Sequence, residues 1–163
     1  LDEPRDQALR KPPAYTRADI DHLVAYVASL GPGPEVPKVH PEEGDLPTGY
    51  ELYANNCASC HSSAGAGGAV GRGIIAPNLQ KATSTQVAEA IRIGPGVMPV
   101  FGPEALDDHQ VASVVRYVEY LQAPEDEGGL GLGHLGPLPE GFVAWLVGLG
   151  LMLLVIRWMG TTD

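Results

Sequence analysis

The two cysteines of this chain lie three residues apart and a histidine follows at once, in Cys57-Ala58-Ser59-Cys60-His61. No other cysteine exists to pair with them, so a disulfide scaffold is excluded. A zinc site would need a fourth ligand from elsewhere, and the other histidines, His22, His40, His109 and His134, fall on predicted helices or linkers. A redox dithiol of the thioredoxin kind wants a βαβ setting, and no strand pattern is visible. What remains is a c-type haem attachment motif. Two thiols one helical turn apart can each bond one vinyl group of a porphyrin. The next residue then sets an imidazole over the iron, so His61 is the candidate proximal ligand.

Composition supports a cofactor at the centre. Aromatics are 6% of the chain and there are 2 Phe in 163 residues. A core that thin needs a staple. Net charge is −10, from 20 acidic and 10 basic residues, which excludes nucleic acid as a partner.

Apolar spacing predicts an all-α chain. Ile20, Leu23, Val24, Val27 and Leu30 form a helical stripe after a Thr16 cap, stopped by Gly31. Residues 31–46 hold four prolines and read as a linker. A helix over about 48–55 delivers the cysteine motif, a glycine-rich loop covers 62–79, and a helix capped by Ser84 covers 84–93. A Gly/Pro loop spans 94–103. The helix after it, over 107–121, carries Val111, Val114, Val115, Val118 and Leu121. The first and last of these helices look alike. Each has acids at its start, a histidine, and a stripe ending in Tyr-Val with a Leu three residues on.

Residues 124–140 are acidic, then glycine-rich, and read as a tether. Residues 141–159 are almost continuously apolar, with Trp145 and Trp158 near the ends and Arg157 placed to snorkel. A helix of that length spans about 28 Å, close to a bilayer core. It is expected to cross the membrane once, leaving residues 160–163 as a tail.

Met98 lies outside this apolar segment, in the loop Gly94-Pro95-Gly96-Val97-Met98-Pro99. A methionine in such a loop is a poor core filler and a good candidate for the distal iron ligand. A six-coordinate iron argues against a haem sensor or peroxidase. Residues 71–79, ending Ala76-Pro77-Asn78-Leu79, are expected to wall the haem.

Cys57-Ala58-Ser59-Cys60-His61, Ala76-Pro77-Asn78-Leu79 and Met98-Pro99, in that order, resemble the class I cytochromes c. The resemblance implies a small helical domain over residues 47–123, in which the first and last helices cross. It implies that the Pro77 carbonyl accepts from His61 Nδ1, that Leu79 belongs to the haem pocket, and that Arg72 pairs with a haem propionate.

Residues 10–31 are similar to the C-terminal end of another such domain. The whole layout therefore resembles the dihaem cytochrome c subunit of the actinobacterial menaquinol–cytochrome c reductase. That family has two tandem haem domains and one C-terminal transmembrane helix. Residues 1–30 would then be the remnant of a first domain in a longer chain, whose own Cys-x-x-Cys-His and methionine are absent from these 163 residues. The resemblance implies one haem c here and a second in the full-length protein. The implied partners are the cytochrome b and Rieske iron–sulfur subunits, with a haem–copper terminal oxidase taking the electron. It also implies an extracytoplasmic haem domain, a cytoplasmic C-terminus, and no catalysis by the chain alone. The competing expectation is a single-haem anchored cytochrome c serving another oxidase or reductase.

Overall fold

The computed structural model describes residues 12–33, 35–125 and 137–161. Residues 1–11, most of the expected tether, His134 and residues 162–163 lie outside them.

Helix α1, Arg17–Ser29, starts at Thr16 with a capping box. The Thr16 hydroxyl accepts from Asp19 N, and Asp19 Oδ2 accepts from Thr16 N, each at 3.2 Å. A short 3₁₀ turn at Pro41–Glu43 leads into α2, Leu46–Asn56, where Asp45 accepts from Thr48 N at 2.9 Å and a proline occupies the first turn. One tight turn, α3, Ala58–His61, follows. Strands β1, Gly68–Gly71, and β2, Ile74–Ala76, pair antiparallel. Helix α4, Ser84–Ile93, and helix α5, Asp108–Gln122, complete the domain.

Two local readings change. The cap of α4 is Thr83, one residue before the expected Ser84. Gln86 stands three residues after Thr83 and closes the reciprocal box, while the Ser84 hydroxyl donates instead to Glu119 Oε1 at 2.6 Å. The expected glycine-rich loop contains a small hairpin. Its turn, Arg72-Gly73, has φ of 51° and 72°, the left-handed pair that suits a tight hairpin turn. Strands of three and four residues, GAVG and IIA, carry no polar and apolar alternation in the sequence to reveal them.

Helix α5 is the core helix. Val111, Val114, Val115 and Val118 are all buried along it. They pack with Tyr53 of α2 and with Val87, Ala88 and Ile91 of α4. Helices α2 and α5 meet backbone to backbone. A Cβ on Gly49 would overlap the Ser113 carbonyl oxygen, and one on Gly44 would come within 2.6 Å of the Ala112 carbonyl oxygen. Ser113 is fully buried and fully used. Its hydroxyl donates to His109 O at 2.8 Å and accepts from Asp45 N at 2.9 Å. Arg116 Nη1 donates to Gly44 O at 2.6 Å across the same junction.

Caps fix how α1 and α5 correspond. Thr16 matches Asp107, Asp19 matches Gln110 and Tyr26 matches Tyr117. His22 then falls opposite Ser113, so the two helix histidines are not equivalent. In this register Leu23, Val24 and Val27 of α1 match Val114, Val115 and Val118. The first three are 49%, 62% and 63% exposed, and the second three are 2% exposed or less.

The C-terminal segment is one apolar helix over Pro139–Gly160, with no buried part. It is assembled from α6, Pro137–Val143, a π-helical stretch at Ala144–Leu149, and α7, Gly150–Gly160.

Gly49→Ala is expected to destabilise the domain by about 1–3 kcal/mol, as overpacking at a rigid contact does. Gly33→Ala, where a Cβ meets nothing within 4 Å, is the control. Urea melts of the two variants check it, and equal midpoints would remove the close crossing as a constraint.

Candidate functional site

Helix α2 ends at Cys57, whose N–H still donates to Tyr53 O at 2.8 Å. The chain then tightens into α3. Cys60 N and His61 N both donate to Cys57 O, at 3.1 and 2.9 Å. This single turn brings both sulfurs and the imidazole to one cleft. Both thiols are part-buried, and burial, with Cys60 alongside, pushes the Cys57 thiol up to about 11.

His61 is buried at 9% exposure, with Nδ1 3.0 Å from Pro77 O. A carbonyl can only accept, so Nδ1 carries the proton and Nε2 keeps its lone pair for a metal. Tyr53 sits behind. Its hydroxyl donates to Ser62 O at 2.8 Å, which holds the turn that leaves His61. Burial raises the Tyr53 hydroxyl above its ordinary value, so it stays a donor.

The cleft encloses about 490 Å³ and its lining is mostly apolar. It is lined by Cys57, Cys60, His61 and Pro77, by Met98 and Phe101, and by Val114 and Val118 of α5, Val87 and Ile91 of α4, and Leu79. Leu79 is fixed at both ends of its peptide. Its N–H donates to Gly65 O at 2.8 Å, and its carbonyl accepts from Gln122 Nε2 at 2.7 Å.

Met98 stands in the loop after α4. That loop leaves through Gly94 at φ 64°, and a Cβ there would lie 2.8 Å from Met98 O and 2.9 Å from Val100 N. Only glycine permits the turn.

The structure thus gathers Cys57, Cys60, His61, Pro77, Leu79 and Met98 around one cavity. Arg72 is not among the lining residues. It is exposed, on the hairpin turn. His22 and His109 are exposed too, and His40 lies 3.1 Å from Glu42 Oε1, away from the cleft. Gln80 and Gln122 went unnoticed in the sequence. Gln80 Nε2 donates to Ala64 O and Leu121 O, and Gln122 Nε2 to Leu79 O and Ala82 O, so the two glutamines tie the cleft lining to α5. Side-chain bonds to loop carbonyls leave no periodic signal to find.

The site has what a haem requires: two thiols a turn apart, a buried imidazole with a free Nε2, a thioether lining the same cavity, and a mostly apolar lining. Such a fold and site define a class I cytochrome c domain followed by one apolar helix.

Comparison with known proteins agrees. Residues 44–118 match the family described as cytochrome c oxidase, cbb3-type, subunit III. Cytochrome c6 of Bryopsis maxima is 32% identical over 46% of this chain and 90% of its own length. The chain belongs to the cytochrome c family and binds haem through this domain. Over nearly its whole length it is similar to cytochrome bc1 complex cytochrome c subunits. The subunit of Corynebacterium diphtheriae is 32% identical, covering 95% of this chain and 61% of that one. The subunit of Mycobacterium bovis is 36% identical, covering 94% and 58%. The chain therefore spans about three fifths of the length of these curated relatives.

Cys57→Ser combined with Cys60→Ser is expected to abolish covalent haem, read as loss of the haem increment in intact mass and of haem staining after denaturing electrophoresis. Tyr53→Phe should keep the haem and cost about 1 kcal/mol in a urea melt, the usual value of one hydrogen bond. A Tyr53→Phe melt indistinguishable from that of the parent would dismiss its bond to Ser62.

Proposed function

We propose that this chain is the haem-carrying, membrane-anchored electron-transfer part of a quinol–cytochrome c reductase. The observation that carries the proposal is the single cleft holding Cys57, Cys60, His61 and Met98, in a chain that aligns almost end to end with bc1-complex cytochrome c subunits.

When bound, a haem supplies a one-electron ferric/ferrous couple. The residues of the chain do the rest. Cys57 and Cys60 would hold the group through two thioethers. His61, its ring set by Pro77 O, would offer Nε2 to the iron, and Met98 would offer its thioether. Leu79 and the valines of α5 would exclude water from the cleft, which would keep reorganisation on electron transfer small. Arg72, on its exposed turn, is proposed as a propionate partner, a role that requires its side chain to fold back toward the cleft.

The domain limits proposed are 47–123 for the haem unit, 31–46 for the linker, 124–140 for the tether and 141–159 for the span. Residues 1–30 are proposed as the end of a preceding cytochrome c unit that carries a second haem. The exposed stripe of α1 supports that reading, because its counterparts in α5 are buried. The proposed path runs from a Rieske iron–sulfur protein, through the two haems, to a haem–copper terminal oxidase, with cytochrome b beside the anchor. The haem domain lies outside the cytoplasm and the C-terminus inside.

Two measurements test this. Intact mass and a pyridine haemochrome spectrum on the full gene product should give two covalent haems, and one haem on a chain starting near Leu1 would favour a simple anchored carrier. Met98→Ala should lower the midpoint potential strongly and open the ferrous iron to CO. An unchanged potential and spectrum would refute Met98 as a ligand.

A further inference from the structure

Arg92 is the last charged residue of α4, and it does not face water. Its side chain is 16% exposed. Nη1 donates to Phe101 O at 3.0 Å and to Leu106 O at 2.6 Å, and Nη2 donates to Asp108 Oδ1 at 2.6 Å. These three acceptors lie on the segment that runs from Met98 into α5. Asp108 is 99% exposed, so that ion pair is worth little and serves to aim the guanidinium. The two carbonyl bonds are charge-assisted and shielded, and they are the strong ones.

Their position matters. The chain leaves α4 at Gly94, passes Met98, and returns at Phe101, whose N–H donates to Ile91 O at 2.9 Å. Phe101 is thus gripped from both sides of its residue, through N–H by the Ile91 carbonyl and through C=O by Arg92. Residues 94–101 form a closed loop with Met98 inside it. Within the loop, Met98 N donates to Pro95 O at 3.2 Å. A thioether competes poorly for iron once its loop is free, because each turnover of the loop offers the site to water or another ligand. Closing the loop reduces that entropy.

We propose that Arg92 is the positioning residue for the methionine ligand: it clamps the loop shut at Phe101 and Leu106 and so holds Met98 against the cleft. This rests on Met98 being the distal ligand. Arg92 touches neither haem nor iron in this role. Lysine, shorter and with a point charge in place of a planar fork, cannot hold both carbonyls and the Asp108 carboxylate in the same geometry.

The test uses the full-length holoprotein and three variants. Arg92→Gln and Arg92→Lys remove or weaken the clamp. Arg116→Gln removes a comparable arginine–carbonyl bond, to Gly44 O, at the α2–α5 junction away from Met98. The readouts are the long-wavelength charge-transfer band of methionine-ligated ferric haem, CO binding by the ferrous form, and the gap between the urea midpoints of that band and of helix circular dichroism. In Arg92→Gln the ratio of open to methionine-ligated iron should rise by about tenfold or more, the loss of one charge-assisted bond. Arg92→Lys should fall between it and the parent. Arg116→Gln should lower both urea midpoints together and leave the gap unchanged. If Arg92→Gln does not accumulate, the widened gap in Arg92→Lys carries the same information. Parent-like band, CO binding and gap in the Arg92 variants, or equal gaps in Arg92 and Arg116 variants, would overturn the clamp. Absence of the charge-transfer band in the parent would overturn Met98 ligation and the clamp with it.

Discussion

Everything at the cleft depends on how closely α5 approaches the α2 end of the domain. Gly44 and Gly49 leave room for the α5 backbone at Ala112 and Ser113, and any side chain there would push the elements apart. That contact sets the position of Tyr53 and, four residues on, of Cys57. It also fixes which valines of α5 face inward. The closeness exposes a polar problem, since two backbones meet in a dry junction. Ser113, with one bond given and one received, and Arg116, reaching Gly44 O, solve it. Tyr117 fills the space beside the glycines, with ring centroids 5.3 Å from Tyr53 and 5.6 Å from Tyr50.

Toward the cleft the side chains are short: Val114 and Val118 on α5, with Ala82 beside them. Such residues cannot fill the centre. The cleft they line is the candidate binding site, and a large flat apolar group is the natural complement to its apolar lining. A group bound there would add its own apolar area to the core, which would couple stability to function in this domain.

Much of the site was legible because the chemistry needs fixed spacings. Cys57, Cys60 and His61 must share one helical turn, and Met98 must come from a loop that glycine allows to turn. Helix positions were legible wherever valines recur every three or four residues. The hairpin was not, because Gly68, Gly71 and Gly73 carry no side chains to alternate. The α4 cap slipped by one residue because Thr83 and Ser84 are both good caps, and the choice falls to Gln86. The histidines of the two look-alike helices do not mark their register for a similar reason: caps and the apolar stripe set it, and the exposed His22 and His109 are free of it. Arg92, Gln80 and Gln122 act through carbonyls of distant loops, and neither propensity nor periodicity reports that.

The comparison of α1 with α5 carries the argument furthest beyond the domain itself. The local pattern is alike: a reciprocal capping box, an apolar stripe and a Tyr-Val ending in each. Environment is opposite. Burying an aliphatic side chain of this size stabilises by about 1.5–3 kcal/mol, so leaving Leu23, Val24 and Val27 in water forfeits several kcal/mol. That is a large share of what a small domain has to spare. The α5 stripe is buried against α2, α4 and the cleft, and the α1 stripe is exposed. That contrast, and not the position of the first residue, is the physical support for the proposal that residues 1–30 belong to a second unit of the same kind.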